Sequence, residues 1–286
     1  MSNFKIGVIA DGLRMPFRES TKKCSQMGLD GVQLYAVSGE MAPENMPKQD
    51  IVEKRSILDG FGLEISALCG DLGGYGFAVE KDNPSKIEKS KRIVDLALEL
   101  GSNIVTTHIG VIPSDKSSKT YGTMQAACNE LAGYAYDRGA YFAIETGPEP
   151  ALLLKEFLDS LDTKGVAVNL DPANFVMVTG DDPVEAVHTL KDYIVHTHAK
   201  DGIMLQKTDP KIIYDFFAQG GIGDLRLDEY FKELPLGQGD VDFEAYLAAL
   251  RDINFNGYLT IERETGSDPA KDIKLAVSFL KELISR

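Results

Sequence analysis

The chain has 286 residues, of which 43% are apolar, and it carries a formal net charge of −14. This length suits one large α/β domain, or two ordinary ones, with a sizeable core. The acidic balance disfavours nucleic acid as a partner, because most of the surface would repel a phosphate backbone. No run of about 18 apolar residues is present, so we expect no membrane-spanning segment and no membrane partner.

The cysteines and the N-terminal stretch bear on the cellular compartment. Three cysteines at wide spacings argue against a disulfide framework. The N-terminal stretch MSNFKIGVIADG lacks the basic segment and long apolar run that a secretory signal requires. We therefore expect a cytoplasmic protein.

Short β-branched runs alternate with helical patterns along the chain, which predicts alternating strands and helices. Between the runs lie amphipathic stretches such as residues 84–101, where apolar residues recur at helical spacing. Eight such repeats predict an α/β fold, a single (β/α)₈ TIM barrel over residues 1–286. The predicted strands cover residues 4–10, 31–37, 63–69, 103–109, 140–146, 165–171, 193–199 and 257–263.

Two features refine this prediction. The first turn, ADGLRMP, contains no G-x-G-x-x-G sequence, which disfavours a dinucleotide-binding open sheet. A long loop insertion is predicted at about 203–240, between the seventh and eighth strands. Long loops on the catalytic face of a barrel are often lids, and a variable excursion without a function is the other interpretation.

Glycines and one proline mark predicted helix ends. Gly101, Gly139 and Gly257 each stand between a helical pattern and the next strand, where a left-handed C-terminal residue favours glycine. The last helix is predicted to begin with Asp268 as its N-cap and Pro269 as its first residue.

Ionisable side chains stand at the carboxyl ends of predicted strands four to eight. Active sites of TIM barrels lie at this end of the strands. Side chains alternate between the two faces of a strand, and the neighbours on the opposite face are aliphatic. The ionisable set is therefore predicted to point into the barrel mouth. It consists of His108, Glu145, Asp171, His198 and Glu262.

Taken singly, an acid at a strand end is usually a helix cap or a solvated loop residue, and a lone histidine is usually a satisfied polar group. Several carboxylates crowded in one mouth, however, would repel one another unless a cation neutralised them. An oxygen-rich set with one imidazole favours Mn²⁺, with Mg²⁺, Co²⁺ or Zn²⁺ as alternatives. We therefore predict one divalent metal ion, bound by Glu145, Asp171, His198 and Glu262.

Five motifs carry a family resemblance: AIETG, NLDPAN, HTHAKD, GQGDVDFEAYLAAL and LTIERE. In this order they resemble the xylose isomerase-like TIM-barrel superfamily, also called the sugar phosphate isomerase/epimerase family. It includes ketose 3-epimerases, inosose dehydratases, hydroxypyruvate isomerases and, more remotely, AP endonucleases. The resemblance implies that one divalent ion is bound by the acids of the fifth, sixth and eighth strands and the histidine of the H-x-K-D motif. These positions are Glu145, Asp171, Glu262 and His198.

The chain differs from the family pattern in two ways: one histidine is replaced, and further metal-binding histidines are missing. Family epimerases and endonucleases often carry a histidine where this chain has Asn174. An amide can hydrogen-bond a substrate but does not titrate near neutrality. The three-zinc cluster of AP endonucleases requires further histidines, and none occurs between His198 and Glu262. AP endonuclease activity is therefore disfavoured.

The residues and the resemblance together predict proton transfer next to the carbonyl of a small sugar or polyol, through an enediolate. Glu145 and Glu262 are the predicted catalytic groups. Ketose 3-epimerisation and aldose–ketose isomerisation both remain open. The alternatives are an inosose dehydratase-like elimination and a barrel that binds metal and sugar without turnover. Related barrels lead us to expect a homodimer or homotetramer. The predicted substrate contacts are His108, Asn174, His196, Lys200 and Arg263.

Three of these contacts have an alternative interpretation. His196 shares the parity of His198 and lies one layer deeper, so the two histidines could exchange roles. Lys200 contacts an anionic or polar group of the substrate, or forms a structural ion pair with Asp201 or another acid. Arg263 has the opposite parity to Glu262, so its side chain is also compatible with a position behind the strand.

Overall fold

The computed structural model describes residues 4–286. The first three residues of the predicted domain, which also open the stretch compared with a secretory signal, lie outside the described residues. The predicted TIM barrel is confirmed: in the described chain, parallel strands close into a barrel in the order β1-β10-β7-β6-β5-β4-β3-β2. The strands are β1 (Lys5–Ile9), β2 (Gly31–Tyr35), β3 (Glu64–Cys69), β4 (Ile104–Thr107), β5 (Tyr141–Glu145), β6 (Val166–Leu170), β7 (Ile194–Ala199), β8 (Asp201–Met204), β9 (Phe231–Leu234) and β10 (Tyr258–Ile261).

Helices follow the barrel strands, and a short helix α6 continues into a π-helical turn at Phe175–Thr179. No helix formed by residues 4–286 is long and apolar enough to cross a bilayer. The helices are α1 (Phe17–Met27), α2 (Lys48–Phe61), α3 (Asn83–Leu100), α4 (Lys119–Tyr136), α5 (Ala151–Asp159), α6 (Pro172–Asn174), α7 (Pro183–Leu190), α8 (Pro210–Gln219), α9 (Phe243–Asp252) and α10 (Pro269–Ser285).

The two faces of the barrel strands have different chemistry. Aliphatic and aromatic side chains such as Phe142, Val168 and Leu170 are completely buried in the hydrophobic core. The alternate positions carry polar groups that meet inside the barrel. Here the hydroxyl of Thr260 lies 3.0 Å from Nε2 of His196. A buried polar group is stable only when it is hydrogen-bonded, so this network supports the floor of the barrel mouth.

Two of the three predicted glycine caps are confirmed. Gly101 and Gly139 have φ angles of 96° and 67°. The prediction for Gly257 was wrong: Asn254, with a φ of 58°, is the left-handed residue in that connection. A Cβ atom at Gly257 would lie 2.4 Å from the ring of Phe255, so glycine is needed there for space.

The segment between β7 and β10 contains more secondary structure than the predicted loop. Strands β8 and β9 pair antiparallel, and helix α8 lies between them along the chain. Both ends of the segment meet at Asp201, whose carboxylate accepts the backbone N–H groups of Gly202, Gly237 and Gly239 at 2.9 Å. The carboxylate of Glu233 on β9 also accepts the backbone N–H of Glu264 at 3.1 Å. The insertion is thereby joined to the chain that follows β10.

Candidate metal centre at the barrel mouth

Four side chains that the sequence analysis predicted as metal ligands converge at the carboxyl ends of the strands. Glu145 ends β5, Asp171 follows β6, His198 lies on β7 and Glu262 follows β10. One potential ligand atom from each lies within 4.8 Å of the others, and all four residues are buried. The convergence arises because parallel strands end at the same rim of the barrel.

The potential ligand atoms at this rim lack ordinary partners. Nδ1 of His198 lies 2.8 Å from Oε2 of Glu262 and 3.6 Å from carboxylate oxygens of both Glu145 and Asp171. Yet His198 Nδ1, Glu262 Oε2 and Asp171 Oδ2 are buried without a hydrogen-bond partner in residues 4–286. Unpartnered buried polar atoms are costly, and a divalent cation between these lone pairs would satisfy them together. The residues therefore fit such an ion.

Two amides lie within hydrogen-bond distance of His198 Nε2: Asn169 Nδ2 at 3.2 Å, and Gln33 Oε1 from across the barrel. Gln33 on β2 donates its Nε2 to the hydroxyl of Thr106 at 3.0 Å, so its Oε1 faces His198 Nε2 at 3.1 Å. In this assignment His198 donates from Nε2 and presents the Nδ1 lone pair to the cluster. Sequence analysis did not identify Gln33; the available signal was an amide in an otherwise apolar strand.

The electrostatics of the cluster require a positive charge. Burial opposes protonation of His198, but the charges of Glu262 and Glu145 hold its pKa well above the ordinary value. Burial raises the pKa of Glu262, yet Lys200 and His198 bring it below the usual value. Carboxylates at this spacing are stable only beside cations. A divalent ion would supply that charge and leave His198 as a neutral ligand.

Asp171 acts as both a helix cap and a member of the cluster. Its Oδ1 accepts the backbone N–H groups of Ala173 at 2.8 Å and Asn174 at 3.3 Å, which caps α6. Its Oδ2 remains directed toward His198. The amide of Asn174 donates to the carbonyl of Thr146 at 3.0 Å and lies 3.4 Å from Glu145 Oε1. Asn174 therefore contributes to the orientation of Glu145.

Lys200 brings a buried ammonium group to the edge of the cluster. Its side chain is 7% exposed, and Nζ lies 3.0 Å from Glu264 and 3.3 Å from Glu262 Oε1. Burial lowers the pKa of Lys200, but the charges of Glu262 and Glu264 raise it well above the ordinary value, so the amine stays charged. Its ion-pair partners are these two acids and Asp171, at 4.0 Å, rather than Asp201. Sequence analysis missed Glu264, which lies just beyond the strand-end position.

His108 and a residue of the insertion form one wall of the mouth. Nε2 of His108 lies 3.7 Å from Glu145 Oε1. Its ring meets the ring of Tyr214 on α8 edge-on, with centroids 5.6 Å apart. The Tyr214 hydroxyl occupies the space that a Cβ atom would fill at Gly147. Sequence analysis did not single out Tyr214, because only the folded insertion brings α8 over the barrel.

His196 and Arg263 are not brought to the cluster. The ring nitrogens of His196 lie 2.8 Å from Asn169 Oδ1 and 3.0 Å from the hydroxyl of Thr260, below the ligand atoms. The guanidinium of Arg263 contacts Glu233 at 2.5 Å and Asp272 at 2.9 Å. These ion pairs agree with the alternative interpretation, in which the opposite strand parity directs the Arg263 side chain behind β10; its role as a substrate contact stays a prediction.

The chain belongs to the xylose isomerase-like TIM barrel family, whose sequence pattern matches residues 21–283. It is 25% identical over 209 residues to an uncharacterised protein of Methanocaldococcus jannaschii. That match covers 68% of this chain and 62% of the relative, so the chain spans less than two thirds of that protein.

Solved structures with the same fold cover almost the whole chain. A xylose isomerase domain protein from Planctomyces limnophilus is 26% identical, with a TM-score of 0.79, and the match covers 99% of this chain and 97% of that one. A D-tagatose 3-epimerase-like protein is 20% identical, with a TM-score of 0.74 and 99% coverage of both chains. A probable 3-DHS dehydratase, AsbF of Bacillus anthracis, is 18% identical, with a TM-score of 0.73 and 98% coverage of both chains.

Proposed function

We propose that this protein is a divalent-metal-dependent isomerase or epimerase of a small sugar or polyol. The observation that carries the proposal is the buried cluster of Glu145, Asp171, His198 and Glu262, whose facing atoms lack other partners within the described chain. Family membership and the fold shared with an epimerase-like protein support the same reaction class. We propose Mn²⁺ as the ion, with Mg²⁺, Co²⁺ or Zn²⁺ as alternatives.

The ion would polarise the carbonyl and neighbouring hydroxyl oxygens of the substrate, which makes the adjacent C–H group more acidic. One of Glu145 and Glu262, as a carboxylate, would take the proton, and the other, starting as a carboxylic acid, would give its own proton to the carbon. They belong to β5 and to the end of β10, which are separated by β6 and β7 in the barrel order. Carboxylates on different sides of the mouth would remove the proton from one face of the substrate and return it on the other, which is epimerisation.

Two other side chains have defined parts in this proposal. His108, 3.7 Å from Glu145, would contact a substrate oxygen on the β4 side. The ammonium group of Lys200, 3.3 Å from Glu262 Oε1, would hydrogen-bond the oxygen that gains charge when the proton leaves. The amide of Asn174 would keep Glu145 in orientation. Return of the proton to the neighbouring carbon on the same face would give aldose–ketose isomerisation instead.

A dehydratase is the second candidate, and the position of Lys200 favours it. A carboxylate that has taken the neighbouring proton can pass it to the leaving hydroxyl, which departs as water while the ammonium group beside Glu262 hydrogen-bonds it. The dehydratase fold relative is consistent with this candidate. The product distinguishes the reactions, because elimination removes one water from the mass of the substrate and epimerisation leaves the mass unchanged.

Solvent isotope exchange tests the proposal. Protein loaded with Mn²⁺ is incubated in D₂O with D-fructose, D-tagatose and D-allulose, and the sugars are analysed by NMR and mass spectrometry. We expect deuterium at a carbon next to the carbonyl, and loss of this exchange in Glu145→Gln and Glu262→Gln. Sugar binding without exchange would indicate a barrel that binds metal and sugar without turnover.

A further inference from the structure

A groove lies between α3 and α4 on the outer surface of the barrel, and its volume is about 710 Å³. Pro84 and Ile87 from α3, with Thr123 and Ala126 from α4, are among the residues that line it. No residue that lines the groove belongs to the candidate metal centre or to the insertion between β7 and β10. The proposed reaction therefore does not account for this groove.

Gly122 is an exposed residue within α4 and lines the same groove. Glycine destabilises a helix relative to alanine, because it loses more conformational freedom when it is ordered. A Cβ atom at Gly122 would have open space, with no contact within 4 Å to other elements of the described chain. Packing within one chain therefore does not require glycine here, whereas close approach of another backbone would.

Asn83, the first residue of α3, also lines the groove and has an unpaired oxygen. The residue is 7% exposed, and its Nδ2 donates to the carbonyl of Phe77 at 3.0 Å. Its Oδ1 is buried without a hydrogen-bond partner in residues 4–286. Buried amide oxygens are normally paired, and a donor from a molecule that fills the groove would supply the missing bond.

The part of α4 that borders the groove carries opposite charges at its two ends. Lys119 pairs with Glu80 of the same chain at 2.8 Å, and Glu130 pairs with Lys91 at 2.7 Å. Lys119 and Glu130 are both exposed and both line the groove. They are about 16 Å apart along the helix, too far to form a pair with each other. Such a surface is complementary to an antiparallel copy of itself.

We propose that the groove between α3 and α4 binds the same surface of a second copy of this chain, with the two α4 helices antiparallel across a two-fold axis. In this register Lys119 of one copy lies opposite the partner's Glu130, and Thr123 lies opposite the partner's Ala126. Small side chains at the centre allow the two helices to approach closely. A partner of another sequence would have to supply the matching charges at both ends, which a second copy already carries. The proposal is independent of the proposed reaction.

Sedimentation velocity of the full-length protein over a range of concentrations measures the dissociation constant of the dimer. Gly122→Gln introduces a bulky neutral side chain near the centre of the interface and should weaken the dimer about 10-fold or more. Glutamine favours helices over glycine, so the variant should fold at least as well as a single chain. Gly60→Gln is the matched control, because Gly60 is an exposed glycine of α2 that also has open space. It should leave the dissociation constant unchanged.

A charge exchange tests the register of the two helices. Lys119→Glu and Glu130→Lys should each weaken the dimer several-fold, because each places like charges opposite one another in both halves of the interface. The double variant should recover the wild-type dissociation constant, although its pairs with Glu80 and Lys91 within one chain stay broken. Wild-type protein that remains monomeric would overturn the proposal. A dimer that Gly122→Gln does not weaken, or that the double variant does not restore, would also overturn it.

Discussion

His198 Nδ1 and Glu262 Oε2 lie 2.8 Å apart, yet neither has a hydrogen-bond partner in residues 4–286. The lack of a hydrogen bond at this short distance indicates that the two atoms are not aligned as donor and acceptor, which leaves both lone pairs able to bind one ion. Because Gln33 holds the opposite ring nitrogen of His198, the Nδ1 lone pair is available to that point.

Removal of one carboxylate ligand should reduce metal binding. Glu262→Gln replaces a charged ligand with a neutral amide of nearly the same shape, which a hard divalent cation binds much more weakly. Elemental analysis after dialysis should show about one divalent ion per wild-type chain and much less than one in the variant. Glu185→Gln, an exposed position on α7, is the matched control and should retain the wild-type content.

The amide of Gln33 should influence metal affinity without being a ligand. Gln33→Leu removes the acceptor for His198 Nε2–H, so the imidazole loses its orientation. Loss of such a supporting hydrogen bond typically lowers metal affinity about 10- to 100-fold. Competition with a chelating dye measures the change. A Gln33→Leu variant with unchanged affinity would contradict this part of the account, provided that its circular dichroism spectrum is native.

Burial of Glu149 should make stability depend on pH. Its pKa is raised from 4.5 to about 8 by burial. Between these pH values the unfolded chain releases a proton that the folded protein keeps, so this residue lowers the free energy of unfolding as the pH rises. Glu149→Gln does not titrate. Its free energy of unfolding relative to that of wild type should therefore increase by a few kcal/mol as the pH rises from 5 to 8. Urea unfolding at pH 5 and pH 8 measures the difference in free energy of unfolding between the variant and wild type. A difference that is the same at both pH values would refute the prediction.

The buried ion pair of Arg263 and Glu233 should contribute to stability rather than to ligand binding. The arginine side chain is 9% exposed and the glutamate side chain 4%. Removal of one partner from a buried pair costs roughly 3–5 kcal/mol, so Arg263→Ala should unfold at a much lower urea concentration. Arg226→Ala, in an exposed ion pair, should cost roughly 0–1 kcal/mol. Weakened ketose binding by folded, metal-loaded Arg263→Ala would restore the original expectation of a substrate contact.

Much of the fold was predictable from the sequence because the strand signals are local. β-branched runs, helix-capping residues and alternation between faces specify each βα repeat without distant information. The insertion was less predictable: Tyr214 is one aromatic residue of an amphipathic helix, and only the pairing of β8 with β9 brings that helix over the mouth. Glu233 similarly acquires its role from the contact with Arg263, which local periodicity does not encode.

The candidate ligands could be predicted because barrel geometry converts a position in a strand into a position at the rim. Strand parity predicted that Glu145, Asp171 and Glu262 face inward, and the structure brings them together. The supporting groups escaped prediction because their partners lie on other strands. Gln33 reaches His198 across the barrel, and Glu264 pairs with Lys200 after the chain has left β10.

Anomalous diffraction tests the central claim most directly. Crystals grown with Mn²⁺ are measured near the manganese absorption edge, and the anomalous difference map is calculated. We predict one peak per chain within bonding distance of Glu145, Asp171, His198 and Glu262, and no peak at that point in crystals of Glu262→Gln. Wild-type crystals with no peak between these four side chains, or with manganese bound only elsewhere, would contradict the account.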